Sequence, residues 1–268
     1  MWSVFKHTIK ESFHRRMAVA LLTVSACVFV ALVWLSRFSP GPNDSVLISV
    51  LGRNPEDAVN FVLNSYGMLL NLTSGLMFFV AMFAAAPLLV SYLDKGMAEW
   101  LFAKGLARWQ IFLGRVFGAF GVFLAAMMTI NVFPALYYWL RAGITPRYFL
   151  TGVLVLCVSF LGMLCLMALI SAFQPSVATM ITAGFLDLII SSILLSRTAW
   201  YQILPYEWIR KGMDALYTML PKHEELSHMA QSYLNLGNVK SWMPLWTTLA
   251  FCAVALTLAA LQIRRKSF

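Results

Sequence analysis

The chain has 268 residues, of which 60% are hydrophobic and 12% charged, with a mean hydropathy of +0.76. Soluble domains average about 45–50% apolar and about 25% charged residues. The composition therefore excludes a soluble globular fold, a disordered chain, a collagen-like repeat and a small disulfide-stapled domain. The net charge of +9 comes from 20 Lys and Arg against 11 Asp and Glu, and fits anchoring against anionic lipid rather than nucleic-acid binding.

In chain order, Trp2, Phe5, Ile9 and Phe13 recur at helical spacing with Lys6, Lys10 and His14 turned elsewhere. This pattern predicts an amphipathic helix over 1–16 lying in the membrane interface. Six stretches of about 20 or more mostly apolar residues follow, at 17–36, 62–91, 112–139, 149–171, 178–196 and 244–263. The first is too long for a cleaved leader and has no small-residue cleavage pattern after it. The second and third are long enough to tilt or to project beyond the bilayer. Gly114, Gly118 and Gly121 near the start of the third permit close helix approach. Only Phe173-Gln174-Pro175-Ser176 separates the fourth span from the fifth, which predicts a tight surface turn. The long connection 197–243 is rich in aromatic residues, among them Trp200, Tyr206, Trp208, Tyr217 and Trp242. Such residues favour the headgroup region, and Pro205 and Pro221 divide the connection into short helices. The expected fold is all-α: one polytopic domain, 1–268, with six transmembrane helices.

Orientation follows from basic residues in the connections. Eleven Lys and Arg fall at the N-terminus, between spans two and three, and at the C-terminus; nine, diluted by seven acids, fall on the other side. Both termini are therefore expected in the cytoplasm.

Chemistry-bearing motifs are scarce. Nothing matches G-x-x-x-x-G-K-[ST], so ATP phosphates cannot be cradled by that loop. There is no Gly-x-Ser-x-Gly elbow. His223 and His228 stand at i and i+5, about 140° apart on a helix of 3.6 residues per turn, which is the wrong spacing for a zinc pair. No metal site is expected. The four cysteines, Cys27, Cys157, Cys165 and Cys252, all sit in apolar stretches and read as packing residues. Asp187 is the exception within the spans, where an unpaired charge costs at least about 2.5–3.5 kcal/mol. It reads either as a functional group or as a neutral acid bonded to Ser191 one turn away, or to Asn71, Thr73, Ser74 or Asn131. No basic residue stands at a matching depth in the spans. Asp187, Asn131 and Asn71 are the intramembrane polar candidates.

The segment 94–115 is the most informative. A short amphipathic helix, 97–103, carries Trp100, Leu101 and Phe102 in a row, followed by a break at Gly105 and a second helix starting near Arg108. An ordinary solvated loop would not need those three side chains, so a partner is expected there. With Lys95-Gly96, Glu99, Leu101, Arg108 and Gly114, this segment resembles the equivalent region of the ABC-2 type permeases, the membrane subunits of ABC transporters. Met97, Gly105, Ala107 and Arg115 stand where that family usually has threonine, proline, serine and lysine. Three further stretches are similar: 168–178 between spans four and five, 220–230 before the last span, and the basic terminus at Arg264-Arg265-Lys266.

The resemblance implies an exporter-type six-helix fold in the bacterial inner membrane. Two permease subunits would pair as a homodimer or heterodimer, each docking on a cytoplasmic ATP-binding subunit that holds ATP and Mg. This chain would need no cofactor of its own and would have no catalytic residues. It further implies that Glu99 to Lys104, with Trp100, Leu101, Phe102 and Arg108, form the coupling helix, and that Gln174, Pro175 and Ser176 form a second contact. Two other expectations stand beside transport. One is a mechanotransmitter or scaffold passing ATPase motion to an extracytoplasmic accessory protein. The other is an intramembrane enzyme using Asp187, disfavoured because no second acid or histidine is found within the spans.

Overall fold

The computed structural model describes residues 2–14, 16–40, 46–50, 56–90, 107–203, 206–239 and 241–265. Helices dominate: α1 (Trp2–His14), α2 (Met17–Leu35), α3 (Ala58–Leu72), a π-helical turn (Thr73–Met77), α4 (Phe78–Val90), α5 (Arg108–Ala142), α6 (Arg147–Phe173), α7 (Val177–Leu195), α8 (Arg197–Ile203), α9 (Glu207–Met219), α10 (His223–Leu236) and α11 (Met243–Arg265). Five helical stretches are long and apolar enough to cross a membrane, and a sixth is counted when the bent pair α1–α2 is taken as one span. All six expected spans correspond to helices. Rows of exposed Leu, Ile and Val, such as Leu186, Ile189 and Ile193 on α7 and Val254, Leu258 and Leu261 on α11, belong against lipid. The fold is that of a multi-pass α-helical membrane protein.

One departure from the all-α expectation is a small antiparallel sheet: β1 (Ser36–Pro40), β2 (Val46–Val50) and β3 (Glu56–Asp57), in the order β1-β2-β3, with Ser36 opposite Val50 and Leu47 opposite Asp57. The residue types of β2, Val-Leu-Ile-Ser-Val, favour a pleated strand over a helix. Lying between two spans, the stretch does not have to satisfy its backbone within a single helix, as a span in lipid must.

In lipid, apolar burial does not drive helices together; close packing does. The central helix is α6, which carries α5, α7, α10 and α11 around it. Phe123 of α5 stacks on Phe160 of α6 with centroids 3.5 Å apart, and Phe78 of α4 meets both rings edge-on. Nearer the sheet, Tyr66 stacks on Phe149 at 4.2 Å.

Helix α1 is an amphipathic helix separate from α2: the axes bend by 69°, and the chain turns through Arg16 at φ 58°. Its buried face is not the aromatic one. Val4, Thr8 and Ser12 pack inward while Trp2 and Phe13 stay exposed. The reason lies on α5. A Cβ at Gly118 would stand 2.6 Å from the Thr8 Cβ, and one at Gly121 would stand 3.2 Å from the Phe5 ring. Gly118 thus brings the two backbones together at Thr8, while Gly121 makes room for the Phe5 ring. The fully buried Arg115 of α5 closes the joint with an ion pair to Glu11. Gly118→Ala is accordingly expected to lift α1 from α5 and to cost about 1–3 kcal/mol, the range for overpacking. A shift in the thermal midpoint in detergent, with faster proteolysis near residues 14–17, is the measurement; an unchanged midpoint would contradict this packing.

Candidate functional site

The connection 197–243 folds as three helices. The strongly amphipathic α9 buries none of its residues, whereas α10 buries His223, Leu226, Met229, Ala230 and Leu234 along one face. That face lies chiefly against α6, with α3 and α7 beside it. Its seat is built from small residues. A Cβ at Gly152 would stand 3.1 Å from the Ala230 carbonyl oxygen, and one at Gly162 would stand 3.0 Å from the Pro221 Cβ and 2.9 Å from the Thr248 Cγ2. The tip of the α9–α10 hairpin therefore reaches between α6 and α11, near the middle of α6.

At that tip, three polar side chains from three elements form one chain of hydrogen bonds. His223 Nε2 lies 2.5 Å from Asp187 Oδ2, and His223 Nδ1 lies 3.0 Å from Ser159 Oγ. Ser159 is 1% exposed, Asp187 3% and His223 4%. Phe78 covers the imidazole edge-on, with centroids 6.0 Å apart and planes at 73°. It is the first residue after the π-helical turn, a feature frequent at functional sites. Ser191, the residue expected to hold Asp187, instead accepts the Glu224 backbone N–H at 3.1 Å and so caps α10. Thr248 Oγ1 similarly accepts the Lys222 N–H at 3.3 Å.

A polar cap encloses the tip. Tyr217 donates to Glu225 Oε2 at 2.7 Å, and the Lys222 ammonium and the Arg197 guanidinium lie over its ring at 3.9 and 3.5 Å. Arg197 also lies 3.7 Å from Asp214, which accepts the Tyr201 hydroxyl. Burial holds the Lys222 ammonium below its usual range, Glu225 opposing and Arg197 reinforcing the effect. Burial also pushes the Tyr217 phenol up to about 12, so it keeps its proton and goes on donating to Glu225.

The expected polar residues do not all converge here. Asn131 lies apart: its amide donates to the Met127 carbonyl at 3.0 Å and meets Thr73 Oγ1 of the π-helical turn at 3.3 Å. Asn71 accepts from Gln231 of α10, and Ser74 bonds the Asn71 carbonyl. Neither Asn71, Thr73, Ser74 nor Asn131 is bonded to Asp187. Two expectations are therefore corrected: a base does stand at the depth of Asp187, and a histidine does accompany it in the bundle. Histidine 223 arrives from outside the spans on a helix that reaches into them. The signal that could have found it was the row His223, Leu226, Met229-Ala230 and Leu234, an apolar helical face headed by the imidazole. Ser159 gave no signal, since serine is common in spans.

Glu99, Trp100, Leu101, Phe102 and Lys104 lie outside the described residues. Arg108 opens α5, where the Gln110 side chain accepts the Ala107 N–H at 3.3 Å. Gln174, Pro175 and Ser176 form the surface turn between α6 and α7, with Gln174 and Pro175 exposed. Among the described residues, no group of three His, Cys, Asp or Glu could hold a metal ion.

Chemically, the three side chains have the make-up of a nucleophilic triad, in which a base activates serine and an acid orients the base. With Ser159 almost fully enclosed, its hydroxyl meets no substrate in this state. What the arrangement does here is tie α10 to two spans through one imidazole. In comparisons with known proteins, no family model and no curated sequence matches this chain.

Proposed function

We propose that this chain is the permease subunit of an exporter-type ABC transporter. It pairs with a second permease subunit and works with a separate cytoplasmic ATPase in the bacterial inner (plasma) membrane, both termini facing the cytoplasm. The observation that carries this reading is the joint between α1 and α5. Directly after the segment 94–106, which resembles a coupling region, α5 runs 35 residues without a break, about 52 Å at 1.5 Å per residue. Its first turns are locked to α1 by the close approach at Gly118 and by the ion pair of Glu11 with Arg115. A push at the Arg108 end therefore moves a rigid pair of helices. Phe123 against Phe160 carries that movement to α6, on which α10 is seated. The lack of a phosphate-binding loop in the sequence supports a separate ATPase.

The test is purification with a co-expressed ATPase from a neighbouring reading frame. Co-purification and ATP hydrolysis that depends on this chain are expected; a wild-type chain that retains no ATPase would sink the proposal. Orientation is checked separately with Cys27 replaced by alanine. Cysteines placed at Lys104 and Ser267 should be shielded from an impermeant thiol reagent in intact cells. One placed at the exposed Lys211 (side chain 81% accessible) should be labelled. External labelling at position 104 would reverse the topology.

A second reading rests on α9, which leaves Trp208, Leu216 and Met219 exposed. In a mechanotransmitter this face would meet an extracytoplasmic partner, and Trp208→Asp would release that partner without lowering ATP hydrolysis.

A further inference from the structure

An apolar groove beside α2, walled by Val19, Val30 and Trp34, has no charged residue in its lining. A second groove, of about 420 Å³, lies between α5 and α6 and differs in this respect. Val132 and Leu136 of α5 and Leu150 of α6 form its inner part. Trp139, Thr145 and Arg147 form its outer end, beside the connection 143–146. From Trp139 to Val132 the groove follows α5 for about 10 Å at 1.5 Å per residue. Trp139 is 48% exposed, and at the end of a span tryptophan belongs at headgroup level. The groove therefore runs from headgroup depth into the hydrocarbon region, apolar within and cationic at its rim.

Arg147 has no acid to answer it. The sequence holds no Asp or Glu from 101 to 186. Around this end of α6, Tyr66 stacks on Phe149, Tyr233 meets Tyr148 edge-on, and Gly237 lies against the Tyr148 ring. None of these carries a charge, and no ion pair joins Arg147 to another described residue. Arg141 is exposed at the same end of the bundle. It stands two residues past Trp139, about 200° around the helix, and does not line the groove.

We propose that the α5–α6 groove binds one anionic phospholipid. An acyl chain lies along Val132, Leu136 and Leu150, and the phosphate rests against the Arg147 guanidinium and the Thr145 hydroxyl. A guanidinium donates in pairs to phosphate oxygens, and here no carboxylate competes for it. The occupant is amphiphilic because the lining is. Free phosphate would leave the apolar part unfilled, and a bare hydrocarbon would leave the cation unmatched. The occupant carries net negative charge because Arg147 is uncompensated, whereas a zwitterionic lipid brings a second cation to the same rim. The site rests on the membrane fold alone and is independent of the permease reading.

Native mass spectrometry of the full chain in detergent, titrated with phosphatidylglycerol or with phosphatidylcholine of the same acyl chains, is the test. Wild type should retain one phosphatidylglycerol about fivefold more tightly than phosphatidylcholine, the scale of one basic residue near a membrane surface. Arg147→Gln should abolish that preference. Arg141→Gln, which removes the same charge from outside the groove, should keep it. Both arginines are exposed, so neither variant disturbs packing. Leu136→Trp, which fills the groove from a position 44% exposed, should weaken retention of both lipids. Inorganic phosphate should displace neither. A wild-type chain without the preference, or an equal loss in the two arginine variants, overturns the proposal. So does displacement of the lipid by inorganic phosphate, or full retention in Leu136→Trp, since either would show that the apolar groove is not used.

Discussion

His223→Ala is expected to lower the unfolding free energy by about 3–5 kcal/mol, the range for removing one partner of a buried ion pair. The large cost does not measure the attraction between the two groups. It arises because Asp187, 3% exposed, would keep its carboxylate in the bundle with no partner, and Ser159 would lose its imidazole. Removing both groups, as Asp187→Ala with His223→Ala, leaves no stranded charge. The double variant should therefore be more stable than the single one, although it has lost more contacts. Thermal or denaturant unfolding in detergent measures both. A single variant within about 0.5 kcal/mol of wild type, the ordinary size of a surface substitution, would show that Asp187 and His223 are not paired in the folded protein.

Leu101→Asp or Trp100→Asp should abolish co-purification of the ATPase while leaving the membrane domain folded. The segment carries Trp100, Leu101 and Phe102 in succession, on the side that the proposed topology gives to the cytoplasm and its ATP. Each forgoes about 1.5–3 kcal/mol if left in water, so a partner groove is the simplest occupant for them. A carboxylate in that groove would be buried without a partner. Glu99 and Lys104 at the rim would set orientation more than affinity. The readout is twofold: ATPase bound per permease, and the melting midpoint of the permease. An ATPase retained by both variants would refute the coupling role. A lowered midpoint with the ATPase still bound would place the helix on the lipid surface instead.

The helices long and apolar enough to cross a membrane were legible in the sequence because lipid imposes a one-dimensional rule. A segment that crosses must be apolar for about 20 residues and must satisfy its own backbone as a helix. The same holds for the amphipathic helix α1, whose existence follows from its period. Which face α1 buries was not legible. Periodicity marked Trp2, Phe5, Ile9 and Phe13 as the apolar face, but that Val4, Thr8 and Ser12 pack inward depends on α5, where Gly118 admits Thr8 and Gly121 the Phe5 ring. The sheet 36–57 escaped notice because it lies between spans, where hydropathy carries no rule about conformation.

Asp187 stood out by itself, since a charge in an apolar span is costly wherever its partner lies. Its partner did not. His223 is 36 positions away and Ser159 is 64 from His223. They meet only because the hairpin turns back at Pro221 and is admitted by Gly152 and Gly162 on α6. Cost per residue is a local property, and the sequence alone determined where it is high. How that cost is met depends on which helices approach closely enough to supply a hydrogen-bonding partner. Gly152 and Gly162 settle that approach against Ala230 and Pro221, residues far apart in the chain, so only the tertiary structure could decide it.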